Sequence, residues 1–127
     1  MRTVQTDRAP QPAGHYSQAI VHGGMVFVSG QLPIDPATGA AAGESIEAQM
    51  EQALVNVAAI VEAAGSGLDR LLKVTVYLSD MSLWPRANAA YGRILGEHRP
   101  ARAIVPTFPL HHDYLVEIDA IAALETD

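Results

Sequence analysis

The 127-residue chain contains no cysteine. This one absence removes disulfide staples, thiolate nucleophiles and cysteine-based zinc or iron–sulfur sites, so any chemistry must use oxygen, nitrogen or a cofactor. Lysine occurs once, at Lys73, and Lys plus Arg total 8 against 14 for Asp plus Glu, a net charge of −6. Such a balance repels phosphate backbones and argues against a nucleic-acid partner. Long apolar runs are missing as well. The longest, Gln52 to Gly65, is broken by Asn56 and Glu62 and falls short of the roughly 20 apolar residues that span a bilayer. The stretch from Met1 to Tyr16 has no apolar signal core, from which a cytoplasmic location is expected. Phosphate-cradling loops are also lacking: Gly23 to Gly30, GGMVFVSG, has neither the spacing nor the strand-turn-helix setting of G-x-G-x-x-G, and no G-x-x-x-x-G-K-[ST] occurs.

What is present is the composition of a globular protein, 49% hydrophobic and 17% charged, spread evenly enough to predict one domain over residues 1–127. Ala19 to His22 and Met25 to Ser29 are β-prone runs joined by Gly23-Gly24, the signature of a two-residue hairpin turn. From Ser45 to Ala64, Ile46, Met50, Ala53, Leu54, Val57, Val61 and Ala64 recur at steps of three and four, predicting an amphipathic helix with Ser45 as N-cap and Gly65 as its end. Leu71 to Leu78 alternates, with Val74, Val76 and Leu78 on one face and Lys73, Thr75 and Tyr77 on the other, as a strand does. A second helix is predicted from a Ser82 cap to Gly96, with Pro85 in its first turn and Trp84, Ala87, Tyr91 and Leu95 on its apolar stripe. Ala101 to Thr107, interrupted by Pro106, reads as a strand that lies at an edge or bends there, and Leu115 to Leu124 as an alternating one. The expected fold is α+β, with both helices on one face of a mixed sheet.

Few residues point to chemistry. His111-His112-Asp113 offers metal-ligand atoms but no third partner at a suitable spacing, so a polar loop tip is the better reading and no metal is expected. His15, His22 and His98 stand alone and read as surface or hydrogen-bonded residues. Glu117 is more informative, because a carboxylate interrupting an apolar strand must be solvated, paired or placed in a site. Arg102 likewise emerges from an apolar strand and can grip a planar carboxylate through two parallel hydrogen bonds. Spacing alone leaves two readings open, a structural Arg102–Glu117 ion pair and a ligand site.

At these residues the sequence resembles the RidA/YjgF family of enamine/imine deaminases. The resemblance runs through Gly14-His-Tyr-Ser-Gln-Ala19, Val28-Ser-Gly-Gln-Leu-Pro33, Asn88-Ala-Ala-Tyr91, Pro100-Ala-Arg102 and Val116-Glu-Ile-Asp-Ala-Ile-Ala122. It implies a chorismate-mutase-like α+β subunit, assembled as a homotrimer with ligand clefts between subunits. It also implies roles: Arg102 holding the substrate carboxylate, Glu117 positioning the attacking water, and Tyr16, Ser29, Gly30 and Asn88 lining the cleft. The implied reaction converts a 2-imino acid, formed from an enamine such as 2-aminoacrylate, into a 2-keto acid and ammonia, with no metal or organic cofactor. Departures from the family pattern argue for a reshaped pocket. Ile104 stands where many deaminating members carry cysteine, and the chain between Asn88 and Arg102 is shorter than in the best-known members, while Pro106 to Tyr114 also differs from their usual loop. The alternative from another class is a non-catalytic trimer that binds small carboxylates for regulation. A ribonuclease or translation-inhibitor role, attached to similar proteins, is disfavoured by the acidic balance and the lack of a basic aromatic stripe.

Overall fold

The architecture, taken from a computed structural model that describes residues 1–124, is built where local chemistry directs it. Strands β1 (Arg2–Val4), β2 (Ala19–His22) and β3 (Met25–Gln31) pair antiparallel in succession. Gly23 and Gly24, at φ of 60° and 77°, supply the two left-handed residues that the tight turn between β2 and β3 demands. Helix α1 (Ile46–Ala64) starts where the Ser45 side chain accepts a hydrogen bond from the Ala48 N–H and ends at Gly65 in the left-handed conformation. Strand β4 (Leu71–Leu78), helix α2 (Trp84–Leu95) and strand β5 (Ala101–Pro106) form a β-α-β unit whose strands are parallel neighbours, and β6 (Val116–Ala123) then inserts antiparallel between β3 and β4. The sheet order is β1-β2-β3-β6-β4-β5, which leaves β5 at an edge, where Pro106 lacks no needed donor.

Two details differ from the sequence reading. Strand β1 is not anticipated, because three residues are too few to show a period. The expected Ser82 cap is replaced by Asp80: its carboxylate accepts from both the N–H and the hydroxyl of Ser82, at 2.9 and 2.7 Å, and organises a 3₁₀ turn at Met81–Leu83 that feeds into α2 at Trp84. An ionised carboxylate is the stronger acceptor for the exposed N–H groups of a helical start, which is why it prevails over the hydroxyl two residues later.

Both helices lie on one face of the sheet. Val26, Val28, Val74, Val76, Ile118 and Ala120 turn inward and are buried with Met50, Leu54, Val57 and Val61 of α1 and Ala87 of α2. A bidentate Arg86–Glu47 pair ties α2 to the first turn of α1. Among the described residues no helix covers the other face. Ile20, Phe27 and Ile121 form a row across it by register, Phe27 is 40% exposed, and the polar set Lys73, Thr75, Tyr77, Glu117 and Asp119 shares the face. Among the described residues no helix is long and apolar enough to cross a membrane.

One buried polar group fixes the chain between sheet and helix. Asn56, fully buried in α1, donates from Nδ2 to the carbonyls of Leu32 and Ile34 at 3.1 and 2.9 Å and accepts from Gln52 at Oδ1. Asn56→Ala leaves those carbonyls unpaired, and an expected cost of about 2 kcal/mol corresponds to a Tm fall of roughly 5–10 °C for a chain of this size. Calorimetry checks this; a fall below roughly 2 °C would show that water replaces the clamp without cost.

Candidate functional site

Arg102 sits at the start of β5, on the helix-bearing face. Its register partner Val74 points into the core, and its guanidinium lies 4.8 Å from the ring centres of both Trp84 and Tyr91. Nη1 donates to Oδ1 of Asn88 at 2.9 Å. Trp84, Asn88 and Tyr91 occupy one face of α2 at helical steps of four and three, so the helix presents an aromatic, hydrogen-bonding cradle to the cation. The arginine is thereby oriented without being neutralised: the two ion pairs among the described residues use Arg8 and Arg86. The Tyr91 hydroxyl is buried without a hydrogen-bond partner, and burial pushes its ionisation above the usual phenol range.

Glu117 occupies the opposite face. It is the register partner of Tyr77 on β4, three residues beyond Val74, and an odd step along a strand reverses the side. The structural Arg102–Glu117 pair left open by the sequence therefore does not form within one chain. Instead Glu117 lies over a β-bulge. Val28 pairs with Ala120 and Gln31 with Ile118, so three steps on β3 face two on β6, with Ser29 and Gly30 at the irregularity. A side chain at Gly30 would collide with Oε2 of Glu117 and bring its Cβ to 3.1 Å from the carboxyl carbon, so only glycine lets the carboxylate settle there. Burial, and secondarily the negative charge of Asp119, pushes the Glu117 carboxyl above its usual range. Tyr77 in turn donates from its hydroxyl to Asp119 at 2.9 Å and fixes that charge.

The remaining residues gather near Glu117 in sequence and sheet. Ser29 donates from Oγ to the Ser17 carbonyl at 2.6 Å, and its N–H donates to the Gln18 carbonyl, joining the bulge to the segment that carries Tyr16. Tyr16 is half exposed, and its hydroxyl accepts from the Ala13 N–H. The six residues singled out in the sequence thus separate into two groups, Arg102 with Asn88 on one face, and Tyr16, Ser29, Gly30 and Glu117 on or beside the other. Sequence reading missed Trp84 and Tyr91 as the support of Arg102. Their spacing about Asn88 was the available signal, but it was absorbed into the apolar stripe of the helix.

The histidines fall as the simpler readings anticipate. His15 and His22 are exposed, and His98 places Nε2 at 2.8 Å from the Leu71 carbonyl. His111, His112 and Asp113 form an exposed 3₁₀ turn, with His112 and Asp113 at φ of 57° and 59°. Among the described residues no group of three or more His, Asp or Glu side chains could hold a metal ion. Ile104 lies on the Arg102 face, partly buried against the core.

Comparison with known proteins extends the likeness to almost the whole chain. The sequence model of the endoribonuclease L-PSP family matches residues 6–124. A RutC family protein of Pyrococcus horikoshii is 48% identical over 122 residues, covering 96% of this chain and 97% of that protein. The 2-iminobutanoate/2-iminopropanoate deaminase of Salmonella typhimurium is 44% identical over 124 residues, covering 95% and 96%. Among solved structures, RidA from the Antarctic bacterium Psychrobacter sp. PAMC 21119 superposes with a TM-score of 0.93 at 41% identity, covering 98% of this chain and all of that one. The six-stranded mixed sheet with two helices on one face is the fold of these proteins, and the chain belongs to the endoribonuclease L-PSP family, the RidA/YjgF family that its motifs resemble.

Proposed function

We propose that the protein hydrolyses 2-imino acids to 2-keto acids and ammonia, in clefts completed between copies of the chain in a homotrimer. The observation that carries this reading is the division of the site. A guanidinium that is oriented but not neutralised lies on one face, and a carboxylate whose ionisation is pushed up lies on the other, so a second copy must bring them to one ligand. The uncovered sheet face, with its row of Ile20, Phe27 and Ile121, supports association of copies. The deaminase name carried by the Salmonella relative supports the reaction class.

Each group has a task that follows from its chemistry. Arg102 grips the substrate carboxylate through two parallel hydrogen bonds, and Asn88 with the two aromatic rings holds the guanidinium plane so that C=N is presented in one orientation. Glu117, ionised, hydrogen-bonds a water and takes its proton as the water oxygen bonds to the imine carbon. The C=N π pair moves to nitrogen, which is protonated. That proton comes back from Glu117; Glu117 then takes the hydroxyl proton of the carbinolamine and passes it to nitrogen as the C–N bond breaks, which releases ammonia and leaves the C=O of the keto acid. One water is consumed, and Glu117 ends as it began. Gly30 keeps the carboxylate seated, and Tyr16 and Ser29 border the same side.

The deciding assay generates imines in situ with an amino-acid oxidase from several parent amino acids and follows their loss with and without the protein. Acceleration with several parents is expected, from a protein that light scattering sizes as a trimer. Tight binding of small carboxylates with no acceleration of any imine would instead favour the non-catalytic regulatory reading, in which Arg102 binds and Glu117 does no chemistry.

A further inference from the structure

Beside Arg102 lies a cavity of about 530 Å³ whose lining comes entirely from the contiguous stretch Asn88 to Arg102. It is much larger than a three- or four-carbon imino acid needs. Its lining also includes a second arginine, Arg99, together with Tyr91, Leu95 and His98. No acidic side chain lines it, although the chain as a whole carries a net charge of −6. Arg99 is exposed and makes no ion pair among the described residues. His98 already has Nε2 at the Leu71 carbonyl, so that nitrogen is committed to the backbone.

We infer that this cavity receives the side chain of a 2-imino dicarboxylic acid, Arg102 holding the carboxylate next to C=N and Arg99 the distal carboxylate. This inference rests on the proposed imine hydrolysis for the reaction but on the cavity alone for the ligand class. Two arginines without ion pairs lining one cavity match two planar monoanions, because each fork can pair with one carboxylate. A phosphate fits less well. The C-terminal turn of α2, Leu95 with the capping Gly96, borders the same cavity, and the partial negative charge of a helix C-terminus opposes a dianion more than a monoanion. The leucine and tyrosine walls suit the short methylene link between the two carboxylates.

The test compares a dicarboxylic with a monocarboxylic ligand in two independent readouts. In calorimetric titration of the assembled protein, 2-oxoglutarate is expected to bind at least about tenfold more tightly than 2-oxobutanoate. Arg99→Ala should reduce that ratio to near one, and Arg99→Lys should restore part of it, since a point charge attracts the carboxylate without matching its plane. Equal affinities in the unaltered protein, or a ratio that Arg99→Ala leaves intact, would overturn the inference. In the second readout, an oxidase acting on acidic amino acids supplies the dicarboxylic imines and one acting on neutral amino acids the others. The ratio of their kcat/KM values should fall with Arg99→Ala as the binding ratio does; an unchanged ratio in an active enzyme would count against the inference. A protein that hydrolyses no imine yet keeps its Arg99-dependent preference for 2-oxoglutarate defeats the hydrolytic reading and leaves the dicarboxylate site standing.

Discussion

Arg102→Ala is expected to lower kcat/KM for imine hydrolysis by roughly 100- to 1,000-fold, the size of effect seen when one preorganised charge-stabilising donor is removed. The fold should survive with only a modest fall in Tm. Arg102 is exposed, with one hydrogen bond to Asn88 and cation–π contacts to Trp84 and Tyr91, which together contribute about 1–2 kcal/mol at an exposed site. That is far from the roughly 3–5 kcal/mol lost when half of a buried ion pair is removed. Arg102→Lys should recover only a small fraction of the activity, because an ammonium keeps the charge and loses both the bidentate grip and the flat surface that lies between the two rings. Steady-state kinetics and thermal unfolding on the same samples provide the check. Undiminished hydrolysis by a folded Arg102→Ala protein would remove Arg102 from the mechanism.

Glu117→Gln should act the other way on stability and just as strongly on rate. The amide still hydrogen-bonds water but cannot take its proton, so kcat should fall about 10²- to 10⁴-fold. The carboxyl is pushed above the usual value of 4.5, first by burial and second by Asp119. A carboxyl whose folded-state pKa is raised favours the folded state in its protonated form. That contribution is present below the unfolded value and is lost as pH rises through the raised one. At neutral pH the ionised Glu117 is therefore a net cost to folding, and Glu117→Gln should melt at the same temperature as the parent or higher. In the parent, the acid limb of the kcat/KM profile should lie above 4.5, and Asp119→Asn should move it down by removing the neighbouring negative charge. An acid limb at or below the ordinary carboxylate range, or one that Asp119→Asn does not shift, would exclude Glu117 as the proton acceptor.

Where the sequence carries its own local instructions, the fold is legible from it. The Ser45 cap and Gly65 end bracket α1 as the periodicity predicts, the Gly23-Gly24 turn joins β2 to β3, and Pro106 goes with an edge strand. These features depend on a few adjacent residues. Strand β1 depends on its partner β2, and the start of α2 on a competition between Asp80 and Ser82, so neither follows from a short window. The site is legible as a set of residues but not as an arrangement. Arg102 and Glu117 both interrupt apolar strands, which suggests a pair; which side each faces depends on their registers to β4, at Val74 and Tyr77, and strand register is a property of the assembled sheet. Only that parity shows that Arg102 and Glu117 lie on opposite faces of the sheet.

Complementation between the two inactive variants tests this division most directly. Arg102→Ala and Glu117→Gln proteins are separately unfolded, mixed in equal amounts, refolded together and assayed for imine hydrolysis. If each cleft takes its arginine from one copy and its glutamate from the next, every mixed trimer contains one cleft with both native residues. Since random assembly makes three in four trimers mixed, activity should return to about one quarter of the parent value per subunit. Refolding either variant alone should give none. A mixture as inactive as its components, in material shown by mass spectrometry of the intact assembly to contain mixed trimers, would contradict the account, because it would mean that Arg102 and Glu117 must belong to the same chain to act.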